Sequence, residues 1–365
     1  MSELEQLLNE FCPYGVEYAK LAKVCYIASG KDHKKLEDGK FPVYGSGGIM
    51  RYVDSFLYNK PSVLIPRKGS ISNLFYVEQP FWVVDTIFYT EIDEIQIVPK
   101  FLYYVLSKMH LEELNSAGGV PSLTKAVLDC VSIPLPPLPV QEEIVRILDK
   151  FTALEAELEA ELEARKKQFF YYRETLLTSS DDVEWETIGE VCDINRGRVI
   201  SKEYLRANAG MYPVYSSQTE NQGVFGYINS FDYDFESITW TTDGANAGSV
   251  FYHNNERFSI TNVCGLLRTN TEFIIPKYLF YFLGMQASMY VNAGMGNPKL
   301  MSNSMSRIPL ALPDLETQAR IVSILDRFDA LVNDITQGLP AELAARRKQY
   351  EYYRDKLLTF KEKVS

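Results

Sequence analysis

The stretch that decides the fold is written twice: ARKKQFFYYRETLLT at Ala164–Thr178 and ARRKQYEYYRDKLLT at Ala345–Thr359. Working upstream, QEEIVRILDKFTAL from Gln141 matches QARIVSILDRFDAL from Gln318, 177 positions later. Self-similarity at a fixed spacing is the signature of a duplicated structural unit. The sequence therefore predicts a tandem repeat in which each copy ends with the same helical stretch.

The part of each copy that precedes this stretch is rich in predicted strands. Short β-branched and aromatic runs such as SVLIP, FWVVDTIFYT and SITWTT alternate with Gly, Pro and Asn turns. PKFLYYVL from Pro99 and PKYLFYFL from Pro276 match each other, and each predicts a short helix opened by proline. An α+β domain, present twice, is the expected fold class.

The repeated stretches predict two long helices. From Val140 to Thr178 the first helix would be about 58 Å long at 1.5 Å per residue. Both helices carry an apolar stripe, and two such stripes are most simply hidden by packing the helices as an antiparallel coiled-coil pair. The stripe residues are Ile144, Ile147, Leu148, Phe151, Leu154, Leu158 and Leu162, then Ile321, Ile324, Leu325, Phe328, Leu331 and Ile335.

The second copy of the helix is longer than the first. The offset between the copies rises from 177 positions at Gln141 to 181 at Ala164, so four residues are added near ITQGLPAEL. Gly338 and Pro340 lie there, and an interior proline costs about 3 kcal/mol of helix stability. We expect a kink or a break at 338–340.

Five segments follow from these patterns. We expect an N-terminal helical segment, a first globular domain, the first long helix, a second globular domain and the second long helix. Their boundaries are 1–16, 17–139, 140–179, 180–317 and 318–365.

Length and composition favour a globular protein. The chain has 365 residues, 46% of them hydrophobic, and no window of about 18 apolar residues that could span a membrane. The N-terminus MSELEQLLNEF lacks the pattern of a secretion signal, so a cytoplasmic location and no membrane partner are expected. Five cysteines without C-x-x-C spacing and three scattered histidines argue against disulfides and against a metal site.

The net charge of −11 disfavours a nucleic-acid partner unless cations cluster locally. Residues 18–139 hold 13 basic and 12 acidic side chains, whereas residues 183–317 hold 9 and 14. Phosphate contacts are therefore more readily expected from the first domain than from the second.

Catalytic signatures are absent from the sequence: it has neither G-x-x-x-x-G-K-[ST] nor G-x-G-x-x-G. One aligned loop pair is more informative, VCYIASGKDHKK from Val24 and VCDINRGRVISK from Val191. Regularly spaced cations after a strand and a Gly turn suit phosphates or guanine edges, although a solvated loop is the plainer alternative. The candidate DNA-binding residues of this pair are Lys31, Lys34, Lys35, Arg196, Arg198 and Lys202.

Two other Gly-rich loop pairs fall at matching places, Pro66–Asn73 with Thr241–Ser249 and Gly118–Lys125 with Gly294–Met301. Each loop alone is about as typical of an ordinary turn. Their side chains that could donate to bases or phosphates are Arg67, Lys68, Ser70, Asn73, Lys125, Thr242, Asn246, Asn297 and Lys299.

The duplicated ending also carries aromatic residues beside a basic triplet. These residues continue the helical stripe, so packing within the helix pair or against a partner protein is favoured over nucleic-acid binding. The candidate partner-binding residues are Phe169, Tyr172, Arg173, Tyr350, Tyr353 and Arg354.

Two unlike strand-rich domains, each followed by a long helix with QEEIVRILDKF or QARIVSILDRF and an RKKQ/RRKQ ending, resemble the DNA specificity (S) subunit of type I restriction-modification systems. The resemblance covers essentially the whole chain. It implies that each domain is a target recognition domain reading one half of a split, asymmetric site on double-stranded DNA. The helices would set the spacing and dock two methyltransferase (M) subunits.

The resemblance also implies that this chain catalyses nothing and holds no cofactor. S-adenosylmethionine, ATP and Mg²⁺ would be bound by the methyltransferase subunits and by separate restriction (R) subunits. Two alternatives stay open: a coiled-coil scaffold with two β-rich modules that bind protein or carbohydrate, and a self-contained methyltransferase.

Overall fold

The computed structural model describes residues 3–115, 122–178, 183–294 and 296–363. The chain divides into two compact units, one made of residues 1–159 and 343–365 and the other of residues 160–342. Each unit combines one strand-rich domain with parts of both repeated helical stretches. The expected segments are continuous in sequence and keep each long helix whole. The two units instead divide the helical stretches near residues 159 and 342, because each domain buries apolar residues from two helical segments.

The first unit begins with short elements that build one strand-rich domain. Its helices are α1 Glu3–Phe11, α2 Leu21–Val24, α3 Pro99–Lys108 and α4 Lys125–Asp129, with a 3₁₀ turn at Leu111–Leu114. Its strands are β1 Tyr18–Lys20, β2 Cys25–Ser29, β3 Asp38–Gly45, β4 Gly48–Val53, β5 Ser62–Pro66, β6 Phe75–Val77, β7 Trp82–Val83, β8 Ile87–Ile92 and β9 Ser132–Pro134.

The second unit repeats this series after the long helix α5, Leu138–Thr178. Its strands are β10 Glu184–Thr187, β11 Cys192–Arg196, β12 Ala209–Tyr215, β13 Val224–Ile228, β14 Ser237–Thr241, β15 Val250–His253, β16 Ser259–Ile260, β17 Cys264–Thr269 and β18 Pro309–Leu312. The helices are α6 Ile188–Val191, α7 Lys202–Ala207, α8 Pro276–Gln286, α9 Ser302–Ser306, α10 Leu315–Asn333 and α11 Leu339–Leu357, with 3₁₀ turns at Glu220–Gly223 and Ala287–Tyr290.

The strand order is the same in both units. The first contains sheets β2-β8-β5-β6, β4-β3-β7 and β1-β9, and the second contains β11-β17-β14-β15, β13-β12-β16 and β10-β18. In each unit one pair is parallel, β3 with β7 and β12 with β16, and the other pairs are antiparallel. Nine strands thus correspond one to one, which confirms the duplicated α+β fold.

Helix α5 contributes to the core of both units. In the first, Ile144 and Leu148 are fully buried with Phe101 and Leu102 of α3. In the second, Phe169 and Leu177 join the core that α8 and α10 complete. Burying each such side chain stabilises its unit by about 1.5–3 kcal/mol.

Within the first unit, helix α11 runs antiparallel to the beginning of α5. The rings of Phe151 and Tyr353 stack at 5.3 Å between centroids. Further along α5 but earlier in α11, the guanidinium of Arg347 pairs with Glu155 at 2.6 Å and with Glu159. Phe151 contacts Tyr353, and the later residue Glu155 contacts the earlier residue Arg347, so the two helices run in opposite directions.

The end of the described chain is also part of the first unit. The backbone N–H of Val16 donates to the carbonyl of Lys361 at 2.8 Å, and the N–H of Lys363 donates to the carbonyl of Val16 at 2.9 Å. Leu358 is buried in the same core as α3. The C-terminal segment therefore packs beside the N-terminal one.

The second repeated stretch is interrupted, as the sequence predicted, although the break begins earlier than 338. Helix α10 ends at Asn333 and α11 starts at Leu339, with Gly338 before its first turn and Pro340 inside it. A Cβ at Gly338 would lie 2.5 Å from the carbonyl oxygen of Ala330. The chain therefore passes too close to α10 there for any larger residue. Ile335, assigned to the stripe, is 80% exposed within the break.

Two other sequence expectations differ from the structure. Leu154, assigned to the stripe of α5, is 47% exposed. Scattered cysteines are most simply buried reduced thiols, and Cys25, Cys192 and Cys264 are buried, but Cys130, the C-cap of the short helix α4, is exposed.

Each helical stretch is joined to its domain by a buried glutamine. The Oε1 atom of Gln141 accepts from the N–H of Val98 at 2.8 Å, and its Nε2 donates to the carbonyls of Gln96 and Pro136. An N–H that precedes a proline-opened helix has no helical partner, so the glutamine satisfies it. The shared sequence QEEIV/QARIV begins with this residue.

Candidate nucleic-acid interface

The loop Lys31–Lys35 is held by its backbone, and its lysine side chains are exposed. The N–H of Lys31 donates to the carbonyl of Val83 at 2.9 Å, and Nε1 of Trp82 donates to the carbonyl of Lys31 at 3.0 Å. A Cβ on Gly30 would lie 2.1 Å from the carbonyl oxygen of Val84. Glycine is thus required for the loop to leave β2 so close to its neighbour.

This loop faces the tip of the β3–β4 hairpin. Asp32, His33 and Lys34 line a cavity of about 810 Å³ whose other walls are residues 45–50 and 84–86. The backbone N–H of Lys34 donates to Asp32 at 3.0 Å and holds the pKa of that carboxyl below its ordinary value. The glycines at the hairpin tip, Gly45, Gly47 and Gly48, line the same cavity as Lys34.

The loop after β5 reaches the same hairpin tip. The side chain of Asn73 donates to the carbonyl of Ser46 at 3.2 Å. The carbonyl of Arg67 accepts from the N–H of Leu123 at 2.9 Å, and its guanidinium lies over the ring of Phe88 at 5.1 Å. The structure therefore brings Lys34, Arg67 and Asn73 to one end of the first domain.

The remaining predicted residues of the first unit have different surroundings. Lys68 and Ser70 are exposed in the loop after β5. The ammonium of Lys125 lies 3.7 Å from the ring centroid of Tyr26, so it is engaged with the exposed face of β2. Gly118–Pro121, also part of a predicted loop, lie outside the described residues.

In the second unit, Arg198 of the loop that follows β11 pairs with a carboxylate of the same unit. The guanidinium of Arg198 contacts Asp232 at 3.0 Å and lies over the ring of Tyr204. A Cβ on Gly197 would lie 2.2 Å from the carbonyl oxygen of Ile260, so this glycine matches Gly30. Lys202, expected to correspond to Lys35 in a loop, is instead the first residue of α7, because Ser201 caps a helix there.

The other two loops of the second unit also meet. Nη2 of Arg196 donates to the hydroxyl of Thr242 at 3.5 Å, and Nζ of Lys299 lies 3.9 Å from Oδ2 of Asp243. The carbonyl of Thr242 accepts from the N–H of Leu300 at 3.0 Å. Lys299 thus faces Asp243, which was not predicted from the sequence, and Arg196 contacts the preceding residue, Thr242.

Thr242, Asn246 and Asn297 differ in their exposure. Thr242 is fully buried, so its hydroxyl serves Arg196 rather than an outside ligand. Asn246 is half-buried, and Asn297 is exposed beside Lys299. Thr242 directly follows strand β14, and its burial cannot be inferred from the polar sequence of the loop.

The two units hold their cations differently. Across residues 3–115, 122–178, 183–294 and 296–363, no carboxylate lies within 4.0 Å of an ammonium of Lys31, Lys34, Lys35 or Lys68. Arg198 and Lys299 of the second unit both face aspartates. An anion can therefore approach the first set directly, whereas it must compete with a carboxylate at the second.

The aromatic residues expected to bind a partner are largely engaged inside their own units. Phe169 is 6% exposed and meets Tyr281 edge to face, and Tyr172 stacks on Phe328 at 5.3 Å. Burial lowers the pKa of the Arg173 guanidinium, which lies over the ring of Phe169.

The matching residues of the first unit are engaged in the same way. Tyr350 packs on the core, Tyr353 stacks on Phe151, and Arg354 pairs with Asp355. Tyr171 and Tyr352, at equivalent places in the two endings, are instead 64% and 62% exposed. Helical periodicity could have found them, since each precedes a packed tyrosine.

The described part of the chain offers neither a metal site nor a membrane-spanning helix. Among the described residues, no group of His, Cys, Asp and Glu side chains could hold a metal ion. No helix within the described ranges combines the length and apolar character needed to cross a bilayer.

Comparison with known proteins agrees with the duplicated architecture. The family model for the type I restriction modification DNA specificity domain matches residues 13–164 and 181–345. A Mycoplasma pneumoniae protein whose name describes it as a type I specificity subunit is 39% identical over 258 residues, covering 68% of this chain and 94% of the relative. A Haemophilus influenzae protein similarly named is 32% identical over 345 residues, 88% of this chain and 89% of that one.

Two solved structures share the fold. The type I restriction-modification S subunit of M. genitalium superposes with a TM-score of 0.66 at 16% identity, covering 94% of this chain and 96% of that one. A chain from a structural study of assembly in the type I R-M system gives a TM-score of 0.59 at 16% identity, covering 95% and 98%.

Proposed function

The chain belongs to the family of type I restriction modification DNA specificity domains, and from this premise we propose that it is the non-catalytic subunit that selects the DNA sequence in a type I restriction-modification complex. The observation that carries the proposal is the pairing of one topology with two different sets of loop side chains. Equal backbones with unequal loops are what two readers of different sequences need.

Each unit would bind one half of a two-part site on double-stranded DNA. In the first unit, the exposed ammonium groups of Lys31, Lys34 and Lys35 are free to contact phosphates. Phosphate contacts fix the position of a protein on the duplex, and side chains at the groove then read base edges. The cluster of Arg67 and Lys68 provides donors for that second task.

The second unit would bind with a smaller electrostatic contribution. Phosphates there must replace Asp232 at Arg198 and Asp243 at Lys299, and the strand-rich region carries 9 basic against 14 acidic residues. Each phosphate that the protein neutralises makes DNA affinity depend more steeply on salt concentration. The first unit should therefore account for most of the salt dependence of DNA binding. We infer that the isolated chain binds DNA weakly and that partner subunits supply further positive charge.

The partners we propose are two methyltransferase subunits and, in a restricting complex, restriction subunits. S-adenosylmethionine, ATP and Mg²⁺ would be bound by these partners, and the complex would act in the cytoplasm. The exposed rings of Tyr171 and Tyr352 are candidate docking residues, because exposed aromatic side chains on helices are typical of protein interfaces.

The proposal is tested by co-expressing the chain with its cognate methyltransferase subunits and mapping methylated bases in the host DNA. We expect methylation confined to one asymmetric, two-part sequence, lost when this chain is omitted. Methylation that does not depend on this chain, or a complex that does not form, would contradict the proposal. A scaffold with protein- or carbohydrate-binding modules would give that contrary result.

A further inference from the structure

The loop after the fifth strand of each domain is held by the same backbone frame. In the first unit the N–H of Leu123 donates to the carbonyl of Arg67 at 2.9 Å, and Lys68 forms an isolated β-bridge with Ser122. In the second, Leu300 donates to Thr242 at 3.0 Å, and Asp243 forms the bridge with Lys299. Lys68 and Asp243 therefore occupy the same place in the fold.

A glycine follows each of these two residues. Gly69 has φ of +80° and Gly244 has φ of +98°, the left-handed region that favours glycine. The turn after the frame is thus the same in both units, and it presents the preceding side chain from an equivalent backbone position. Only the chemistry of that side chain differs, since one is a cation and the other a carboxylate.

The carboxylate of Asp243 is not explained by phosphate binding. A carboxylate at a DNA surface repels phosphates, so a loop that only positioned the backbone would gain by replacing it. About a third of the Asp243 side chain is exposed. Lys299 lies beside Asp243, and Arg196 lies beside the preceding residue, Thr242. Flanking cations allow a carboxylate to approach the duplex despite its charge.

Resting on the function proposed above, we propose that Lys68 and Asp243 are corresponding base-reading residues of opposite chemistry. Lys68 donates to the O6 and N7 acceptors of a guanine, and Asp243 accepts from an exocyclic amino group, on cytosine N4 or adenine N6, in the major groove. Lys299 and Arg196 contact the phosphates on either side of that base. The two half-sites therefore differ in hydrogen-bonding polarity at the corresponding position.

The test uses the full chain in complex with its methyltransferase subunits and a pool of randomised duplexes from which bound sequences are selected and sequenced. The variants are Asp243→Asn, Asp243→Lys and Lys68→Asp. An Asn pairs with adenine N6 and N7, and a Lys with guanine. Asp234→Asn, an exposed acid elsewhere in the same unit, is the matched control.

We expect wild type to select an amino-bearing base at one position of the second half-site. Asp243→Lys should lower that preference by roughly tenfold or more and shift it to guanine, and Asp243→Asn should shift it toward adenine or abolish it. The first half-site should stay unchanged in both and should change only in Lys68→Asp. Asp234→Asn should select the wild-type sequence.

Two outcomes overturn the inference. One is an unchanged second half-site in Asp243→Asn and Asp243→Lys, which would leave Asp243 as a mere partner of Lys299. The other is loss of base selection at every position of both half-sites in Asp243→Asn and Asp243→Lys, while the complex still assembles. Either outcome leaves the wild-type two-part sequence intact, whereas failure of the proposed function would show as no two-part selection by wild type.

Discussion

Gln318 makes in the second unit the same three hydrogen bonds that Gln141 makes in the first. Its Oε1 accepts from the N–H of Ile275 at 2.8 Å, and its Nε2 donates to the carbonyls of Phe273 and Pro313 at 2.9 and 2.7 Å. Both glutamines are fully buried. A repeated side chain that satisfies three backbone groups joins each helical stretch to its domain at one fixed point.

Replacing either glutamine with alanine should destabilise its own unit. Gln318→Ala leaves one N–H and two carbonyls without this partner in a part-buried setting, and we expect the free energy of unfolding to fall by about 3 kcal/mol. Urea unfolding followed by the fluorescence of the buried Trp240 measures it. Gln141→Ala should instead shift the urea-unfolding midpoint of the first unit. Glu142→Ala, which changes an exposed neighbour, should shift the midpoint of neither unit. Equal midpoints for all variants would contradict the anchoring role.

Packing and partner binding can be separated within one aromatic run. Phe169→Ala removes a ring that is 6% exposed and should cost about 3–5 kcal/mol, read as a fall in thermal unfolding temperature. Tyr171→Ala with Tyr352→Ala should leave that temperature within about 2 °C but reduce co-purification of methyltransferase subunits. Full co-purification by the double variant would remove these tyrosines from the docking surface.

Thiol reactivity should follow burial. Burial raises the pKa of Cys25, Cys192 and Cys264 to about 12, so at pH 8 these thiols stay protonated and unreactive. A thiol-disulfide exchange reagent should react rapidly with exposed Cys130 in the folded protein and with all five thiols after denaturation. Cys130→Ser should abolish the rapid phase, and its persistence would show that another thiol is accessible.

The exposed lysines of the first unit should dominate the salt dependence of DNA binding. Lys34→Ala with Lys35→Ala should weaken binding of the complex across sequences and reduce the slope of log K against log salt by about 2. Lys23→Ala lies before β2, at the other end of the strand from these lysines, and serves as the matched control. Equal slopes for the double variant and wild type would remove this loop from the interface.

Acid should destabilise the second unit through the hydrogen-bonded pair formed by buried His253 and half-buried Glu256. A hydrogen bond from His253 holds the pKa of Glu256 below its ordinary 4.5, with Nδ1 2.6 Å from Oε1. Because the folded-state pKa is depressed, the stabilisation is present above pH 4.5 and is lost as pH falls through the folded value. Stability measured from pH 6 to pH 3 should fall less steeply in Glu256→Gln, and parallel curves would exclude this contribution.

Much of the fold could be predicted because it is recorded twice. The repeated stretches gave the duplication, the antiparallel direction seen in the first unit, and the interruption near Gly338, since periodicity and proline chemistry are local properties. The division into units could not be predicted. It depends on which core buries each end of α5, and an apolar stripe does not specify its partner.

The candidate site was predictable as a set of loops but less so as a set of side chains. Sequence alignment placed Lys31 opposite Arg198, and the close approaches at Gly30 and Gly197 agree with that register. Asp243 was not expected, because only side chains able to donate were considered in its loop, and Thr242 was included although tertiary contacts bury it. Loop length alone also gave no sign that Lys202 opens a helix.

The four additional residues of the second helical stretch fall at the break between α10 and α11. Four residues inserted into an unbroken helix would turn every later side chain by about 400°, or 40° beyond a full turn. Yet Phe151 with Tyr353 and Phe328 with Tyr172 stack at the same 5.3 Å in their respective units. The additional residues lie in a loop rather than in a continuous helix, so a change in their number alters the length of the loop and leaves the packing register within each unit unchanged.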